Sequence, residues 1–291
     1  MPDIASRSKL WFAISLIIIA CGCVSFATRG FNFGIDFTGG SILDLHFEQP
    51  VNIAAVRDAL RPLGLDNATI QLAADSNDAS SSNNVMIRTV DLDEPARLAV
   101  IDALRSVDNF DLLRFEKVGA TIGSELISNA LLALLISWAL IIAYIAFRFE
   151  FNFGIAAVLA LIHDILIVLA IFSFTQKQID SSFVAALLTI VGYSINDTIV
   201  IFDRIRENLK LHFKRSGNLA DILNRSIAQT LTRSIYTVCT CLFTTLALYF
   251  FGGDTTRDFA FALTVGFIFG CYSSIFIAGP LWLTLRNLGK K

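Results

Sequence analysis

Charged side chains are scarce in this sequence. Lysine, arginine, aspartate and glutamate make up 16% of its 291 residues, whereas 55% are hydrophobic. The mean hydropathy is +0.64. Soluble domains average about 25% charged residues, so this balance is atypical of a soluble globular protein. The composition instead predicts an integral membrane protein.

Cysteine and histidine are also rare, and their positions exclude several kinds of site. All five cysteines fall inside long apolar runs, so the polar part of the chain has no disulfide framework. The two Cys-x-Cys pairs lack a histidine at the spacing of a zinc site. No Gly-x-x-x-x-Gly-Lys-Ser/Thr segment is present to hold a nucleotide phosphate. We therefore expect no cofactor, no metal, no enzymatic activity and no nucleic-acid partner.

Six apolar runs are long enough to cross a bilayer, which takes about 20 residues of helix. They cover residues 10–27, 126–147, 153–174, 182–202, 233–251 and 259–285. The sequence predicts five segments in chain order. The first two are a cytoplasmic N-terminus with the first span (1–28) and a polar outer domain (29–125). Spans two to four (126–202), a charged cytoplasmic segment (203–232) and the last two spans with a cytoplasmic C-terminus (233–291) follow.

Positive charge is distributed unevenly over the predicted loops. With the N-terminus in the cytoplasm, the inner segments hold 13 lysines and arginines, and the two short outer loops hold only Lys177 and Arg257. This excess follows the positive-inside rule and places both termini in the cytoplasm. Arg7 and Lys9 before an apolar core also fit a signal peptide. Because the apolar run continues past Cys21, we expect an uncleaved anchor.

The polar stretch 29–125 has the patterns of a small folded domain. They predict the order β-α-β-β-α-β: strand 41–47, helix 52–61, strand 68–73, strand 85–90, a helix that begins at Pro95, and strand 110–118. This order is that of a ferredoxin-like α+β fold. The second helix carries Leu98, Ile101 and Leu104, and the composition of the polar loop 75–84 gives no reason to expect regular structure there.

A short motif, GIDFTGG, joins the first span to this domain. It runs from Gly34 to Gly40 and contains Asp36 and Gly39. The two final glycines are predicted to turn the chain into the first strand with backbone angles that other residues avoid. The carboxylate of Asp36 would lie in the outer interfacial zone of the membrane, where its ionisation costs little free energy.

Ionisable residues inside the spans are the main functional candidates, because burying them in lipid is costly. The third span contains His163 and Asp164, the fourth contains Asn196 and Asp197, and the fifth opens with Arg233. At about 1.5 Å of rise per residue, Asp197 lies roughly 8 Å inside the apolar slab. The long side chain of Arg233 could reach it from the inner membrane surface.

We interpret Asp197 and Arg233 as a proton-translocation pair. Burial favours a neutral aspartate and a nearby arginine favours a charged one, so helix movement would load and release a proton. His163, Asp164 and Asn196 are candidate relay or stabilising groups.

Gly192 lies on the same helix face as Asn196, four residues earlier. The contrary interpretation is that Asp197 and Arg233 form a static ion pair that braces the helices, as in a passive scaffolding subunit.

Two further functions would use the same residues. A proton-driven efflux subunit for small molecules would need a large substrate-binding outer domain, and the polar stretch has only about 97 residues. An intramembrane aspartyl protease would need Asp164 and Asp197 to face one cleft.

Two other segments predict contacts with a helix or with lipid. Gly266-x-x-x-Gly270, with small residues up to Ser274, gives the sixth span a close-packing face, either inside the chain or toward a partner. The segment 203–232 is predicted to be an amphipathic helix, broken near 216–218. Its basic side is expected to lie on anionic lipid headgroups.

GIDFTGG after a first span, together with VGYSINDTIVIFDRIREN at 191–208, resembles the SecD/SecF family of protein-export membrane proteins, on its SecF side. His163-Asp164 and the Thr-x-x-Arg that ends at Arg233 also match. Where the family often has Val-Gly-Pro before Gly-x-Glu-Leu, this chain has Ala120, so the local backbone there is the one feature that the resemblance does not predict.

The resemblance implies a fold and a function. The fold would be six transmembrane helices forming half of an RND-type transporter, with the small α+β domain in the periplasm and SecD as the other half. The function would be that of an auxiliary subunit in the bacterial inner membrane that uses proton flow, through Asp197 and Arg233, for late-stage preprotein export. The implied partners are SecD, the SecYEG translocon, YajC and the preprotein.

Overall fold

The computed structural model describes residues 3–66, 68–72, 81–148, 150–216 and 218–288. The helices are α1 (Ser8–Arg29), α2 (Ile35–Thr38), α3 (Ile53–Leu60), α4 (Glu94–Arg105), α5 (Ala120–Arg148), α6 (Phe151–Thr175), α7 (Ser181–Ser216), α8 (Leu219–Phe251), α9 (Asp254–Ser273) and α10 (Gly279–Leu288). The strands are β1 (Asn32–Phe33), β2 (Gly40–Val51), β3 (Thr69–Leu72), β4 (Ser82–Thr89), β5 (Phe110–Val118) and β6 (Gln178–Ile179). A 3₁₀ turn covers Arg61–Leu63 and a π-helical turn covers Ser274–Ala278.

The chain forms two compact units. The α+β unit comprises residues 33–130. The membrane unit comprises residues 1–32 and 131–291.

The α+β unit has the ferredoxin-like fold that the sequence predicts. Its four long strands form an antiparallel sheet in the order β3-β4-β2-β5, and α3 and α4 follow β2 and β4 in the chain. Leu43, Leu45 and Phe47 alternate into the core from β2. Strand β4 begins at Ser82, inside the predicted loop 75–84. Residues 73–80 lie outside the described residues, and they include the last residue of the predicted strand 68–73 and the first six of the loop.

The predicted second helix is α4, in which Leu104 is buried and Leu98 is exposed. The helix begins with a cap in which the Asp93 carboxylate accepts a hydrogen bond of 2.9 Å from the backbone N–H of Ala96. From this start Val100 and Leu104 lie one turn apart on the buried face. Leu98 points about 160° away from Val100 after two residues of helix, and its side chain is 50% exposed.

The glycine pair of the GIDFTGG motif makes the predicted turn. Gly39 and Gly40 have φ angles of 70° and 131°, in the region that favours glycine. A Cβ atom on Gly40 would also lie 2.4 Å from the carbonyl oxygen of Thr89. Gly34 precedes α2, and Asp36 lies in the first turn of that helix.

The membrane unit confirms six spans. Helices long and apolar enough to cross a membrane cover Ser8–Arg29, Gly123–Ile145, Phe151–Thr175, Ser181–Leu211, Leu219–Phe251 and Thr256–Leu288 in the described part of the chain. The charged segment 203–232 is formed by the end of α7 and the beginning of α8, and Gly217 at the predicted break lies outside the described residues.

Glycines allow α9 to pack closely on α7 inside the membrane unit. A Cβ atom on Gly266 would lie 2.2 Å from the Cδ1 atom of Ile190, and one on Gly270 would lie 3.2 Å from the Cβ atom of Ser194. The small face at Gly266 and Gly270 therefore serves an internal contact. It brings α9 and α7 together where both carry polar residues.

Candidate functional site

A buried carboxylate, Asp164 of α6, is the centre of one polar cluster. Its side chain is 1% exposed. The Oδ2 atom accepts hydrogen bonds from the hydroxyls of Ser194 in α7 at 2.6 Å and Ser273 in α9 at 2.8 Å. The Oδ1 atom lies 3.0 Å from Nδ1 of His163. Both oxygens of Asp164 thus have protein partners.

The neighbouring His163 extends this cluster to α1. Its Nε2 atom lies 2.8 Å from the hydroxyl of Ser15. Ser15 in turn lies 3.4 Å from the hydroxyl of Tyr272, which donates to the carbonyl oxygen of Trp11 at 3.0 Å. The cluster therefore joins α1, α6, α7 and α9 through buried hydrogen bonds, which cost free energy when one partner is removed.

The second carboxylate, Asp197 of α7, has a different environment. Its side chain is 8% exposed. The Oδ1 atom accepts a hydrogen bond of 2.6 Å from the hydroxyl of Ser234 in α8. The Oδ2 atom is buried and accepts no hydrogen bond from the residues that the structure describes. A buried polar atom without a partner is costly, so this oxygen is suited to bind a proton or to meet a donor that moves.

Two consecutive serines of α9 and the π-helical turn lie between these carboxylates. Ser273 donates to Asp164, whereas the hydroxyl of Ser274 lies 2.8 Å from that of Thr198, the residue after Asp197. The π-helical turn begins at Ser274. Such turns occur often at functional sites in helices. These two adjacent serines thus contact Asp164 and the residue next to Asp197.

Arg233 is next in the chain to a residue that contacts Asp197, but it forms no ion pair with Asp197 itself. It precedes Ser234, the hydrogen-bond donor to Asp197. Its side chain is exposed, and it forms no ion pair within 4 Å with a described carboxylate. The structure therefore places the two members of the predicted pair on adjacent helices, in an unpaired arrangement.

The helices that carry this site have an exposed polar face. Gly192 and Asn196 are exposed on α7, and Thr237, Thr240 and Thr244 are exposed on α8. The threonine hydroxyls donate to carbonyls of their own helix, which satisfies them locally. Polar residues at membrane depth normally face protein or a water-filled cavity rather than lipid.

The two carboxylates do not share one hydrogen-bonding centre. Asp164 is held by serines of α7 and α9, and Asp197 is held by a serine of α8. This arrangement differs from the shared pair that an aspartyl protease requires. In the described ranges of the chain, no group of three histidine, cysteine, aspartate or glutamate residues is positioned to hold a metal ion.

Ser194 and Ser234 contact the acids but were not singled out by the sequence analysis. The only available signal was their position, since Ser194 precedes Asp197 by three residues and Ser234 follows Arg233. Serine in a membrane helix commonly bonds to a carbonyl of its own helix, so position alone does not identify a contact across helices.

Family models match most of the chain. The model described as Protein export membrane protein SecD/SecF, C-terminal, matches residues 99–288, and that of the SecD/SecF GG motif matches residues 24–51. The Protein translocase subunit SecF of Acidaminococcus fermentans is 47% identical, covering 99% of this chain and 99% of that protein. The subunit of the same name from Pseudomonas aeruginosa is 41% identical, covering 95% and 89%.

Solved structures also match. The crystal structure of SecDF, a translocon-associated membrane protein from Thermus thermophilus, has a TM-score of 0.88 at 38% identity. The chain spans 39% of the length of that protein, and the match covers 99% of this chain. SecDF in its super-membrane-facing form has a TM-score of 0.72 at the same identity and coverage. The chain is thus a multi-pass membrane protein similar to protein translocase subunits over nearly its full length.

Proposed function

This chain belongs to the SecD/SecF family of protein-export membrane proteins, and we propose that it couples proton flow across the bacterial inner membrane to late-stage export of preproteins. In this proposal it is an auxiliary subunit of the Sec translocase and works as one half of a complex with SecD. It performs no enzymatic reaction itself.

The observation that carries the proposal is the contrast between the two buried acids. Asp164 has partners on both oxygens, which suits a group whose state does not change. Asp197 has one partnered oxygen and one buried oxygen without a partner among the described residues. Of the two, Asp197 is therefore the acid that can accept a proton without breaking an existing hydrogen bond.

Arg233 has the role of a mobile counter-charge. When Asp197 is ionised, an approach of the guanidinium would stabilise the carboxylate, and protonation would release it. The unpaired arrangement in this structure corresponds to the released state, with the Arg233 side chain exposed. Alternation between these two states couples the charge of one side chain to the relative position of α7 and α8.

One proton supplies enough energy for such a cycle. A proton that moves down a membrane potential of about 100 mV and a pH difference of about one unit releases about 3.7 kcal/mol. The potential contributes about 2.3 kcal/mol and the pH difference about 1.4 kcal/mol. This energy can change a two-state equilibrium by about 500-fold. One of the similar solved structures is of SecDF in its super-membrane-facing form, which supports a cycle with more than one conformation.

His163 and Asp164 have a stabilising role in this proposal. Their hydrogen bonds join four helices, and a proton that passed through them would have to break that network. Asn196 is not part of this network, because it is exposed beside Gly192 on the face of α7 next to the site. We assign Asn196 to the lining of the proton path at the interface with the partner.

SecD is the partner that would cover the exposed polar face of α7 and α8. The solved SecDF chain is about two and a half times as long as this one, since the chain covers 39% of it, which leaves room for the second half. SecYEG, YajC, the preprotein and anionic lipids are further partners in this proposal. Both termini lie in the cytoplasm, as the distribution of lysine and arginine indicates.

The experiment is a proton-flux measurement. The chain and SecD of the same organism are reconstituted in vesicles that contain a pH-sensitive dye, and a pH gradient is applied. Asp197→Asn is expected to reduce the flux by more than about tenfold, whereas Asp221→Asn, an exposed acid in the first turn of α8, should change it less than about twofold. Equal flux in the wild type and Asp197→Asn would leave only the passive scaffolding function.

A further inference from the structure

A pocket lies beside Arg233, between the end of α7 and the neighbouring part of α8. Its volume is about 580 Å³. It is lined by Val200, Asp203, Arg204, Arg206, Glu207, Lys210, Gln229, Thr230 and Arg233. With the predicted orientation, this pocket opens at the inner membrane surface, where the apolar part of α7 ends.

Positive charge exceeds negative charge in the pocket by four side chains to two. Both acids are already engaged: Asp203 lies 3.4 Å from Arg206, and Glu207 lies 2.5 Å from Arg204. Lys210 and Arg233 form no ion pair with a carboxylate in the described ranges. Two cationic groups thus line the open pocket without a carboxylate counter-ion from the described residues.

A neutral side chain, Gln229, provides a hydrogen-bond donor beside these cations. The side-chain oxygen of Gln229 accepts a hydrogen bond of 2.8 Å from Asn208, so the amide nitrogen of Gln229 is left as the donor for another group. Arginine binds phosphate through two parallel N–H groups, and lysine binds it as a point charge. Basic pockets at the cytoplasmic ends of membrane helices are suited to phospholipid headgroups.

We propose that this pocket binds a phosphate group, supplied by the headgroup of an anionic phospholipid of the inner leaflet, through Lys210 and Arg233. A free phosphate ion has the same chemistry and would use the same residues. The lipid is favoured because, with the predicted orientation, the pocket opens at the inner membrane surface, where a phospholipid headgroup lies.

The lipid site rests on the proposed function, since it uses the predicted orientation of the chain and the role of Arg233 as counter-charge to Asp197. A phosphate bound to Arg233 would hold the guanidinium away from Asp197. Anionic lipid would then stabilise the unpaired arrangement that the structure shows, and the lipid composition of the membrane would adjust how readily the pair forms.

Binding is tested on the full chain, purified in mild detergent, by following its unfolding temperature during titration. The three probes are phosphatidylglycerol, phosphatidylcholine with the same acyl chains, and inorganic phosphate. The test variant is Lys210→Gln with Arg233→Gln, the two cations of the pocket that form no ion pair with a carboxylate in the described ranges. The matched control is Lys9→Gln, an exposed lysine on the same side of the membrane that does not line the pocket.

Phosphatidylglycerol should stabilise the wild type and Lys9→Gln equally, with apparent affinity about fivefold weaker for each basic residue removed from the pocket. If the double variant does not fold, Lys210→Gln alone provides the comparison, because this side chain is exposed. Stabilisation by inorganic phosphate at similar affinity would support the phosphate site and assign it to the free ion. Equal effects of the two lipids, or equal loss in Lys9→Gln, would overturn the proposal.

Asp197→Asn separates this site from the proton function. The variant should bind phosphatidylglycerol as the wild type does, because Asp197 does not line the pocket. Loss of proton flux with intact lipid binding supports both proposals. Intact binding with unchanged flux supports the lipid site and rejects the proton function.

Discussion

Ser234 donates a hydrogen bond of 2.6 Å to Asp197 across the contact between α8 and α7. The other oxygen of this carboxylate, Oδ2, is buried and has no hydrogen-bond partner among the described residues. Because Arg233 is the preceding residue in α8, any rotation or shift of α8 changes the hydrogen bond and the distance to the counter-charge together. The proton-binding state of Asp197 is thereby linked to the position of one helix.

Ser234→Ala tests this link. The ionised carboxylate would lose its donor from the protein, and a hydrogen bond to a charged group contributes about 1.5–3 kcal/mol. We expect proton flux in reconstituted vesicles to fall by about tenfold. Thr284→Ala is the matched control, because its hydroxyl donates to the carbonyl oxygen of Pro280 in its own helix, α10. Equal flux in both variants would show that the Ser234 bond has no role in the cycle.

Asp164→Asn should affect stability more than transport. The substitution replaces an oxygen that accepts from two serines, or the oxygen beside His163, by an amide group that donates. We expect a loss of about 1–3 kcal/mol in the free energy of unfolding, seen as a lower unfolding temperature in detergent. Asp203→Asn, half-exposed at the end of α7, should change it little. A stable Asp164→Asn protein without proton flux would instead make Asp164 part of the proton path.

The sequence predicts the large elements of this fold because each depends on local patterns. Apolar length identifies the six spans, and alternation along 41–47 identifies β2. The buried face of α4 is not predicted in this way, because several apolar residues, Leu98 among them, fit a helical period. The Asp93 cap fixes where the helix begins, and Val100 and Leu104 then face the core. Local pattern leaves that choice open.

The site is predicted less completely, for a related reason. The cost of burying charge identifies Asp164, Asp197 and Arg233 from the sequence alone. The difference between the acids depends on Ser194 and Ser234, whose hydroxyls reach across helices. Such contacts depend on helix rotation and on side-chain rotamers, which have no signature within one helix. The roles of the two acids could therefore be distinguished only in three dimensions.

Gly40→Ala should destabilise the α+β unit strongly. The new Cβ atom would lie 2.4 Å from the carbonyl oxygen of Thr89 and would force β2 away from β4, in addition to the strain of a φ angle of 131°. Gly64→Ala is the matched control, since its φ angle of 71° is also positive but its Cβ would have no neighbour within 4 Å. We expect a loss of about 1 kcal/mol for the control and a clearly larger one for Gly40→Ala. Limited proteolysis of the full chain would show this as faster cleavage between 33 and 130, and equal cleavage rates would contradict it.

Gly192→Leu tests whether the exposed face of α7 is the contact with SecD. A Cβ atom on Gly192 would have no neighbour within 4 Å, so the chain alone should keep its unfolding temperature. A leucine on a face that packs closely against a partner helix would separate the two helices, and helix contacts in membranes depend on such close approach. We expect co-purification of SecD to fall several-fold, by about 1–2 kcal/mol of binding free energy. Ala139→Leu, a similar enlargement at an exposed position of α5 between apolar residues, is the control and should retain SecD. If Gly192→Leu retains SecD as fully as Ala139→Leu does, the polar face of α7 borders water instead, and the partner must bind elsewhere on the membrane unit.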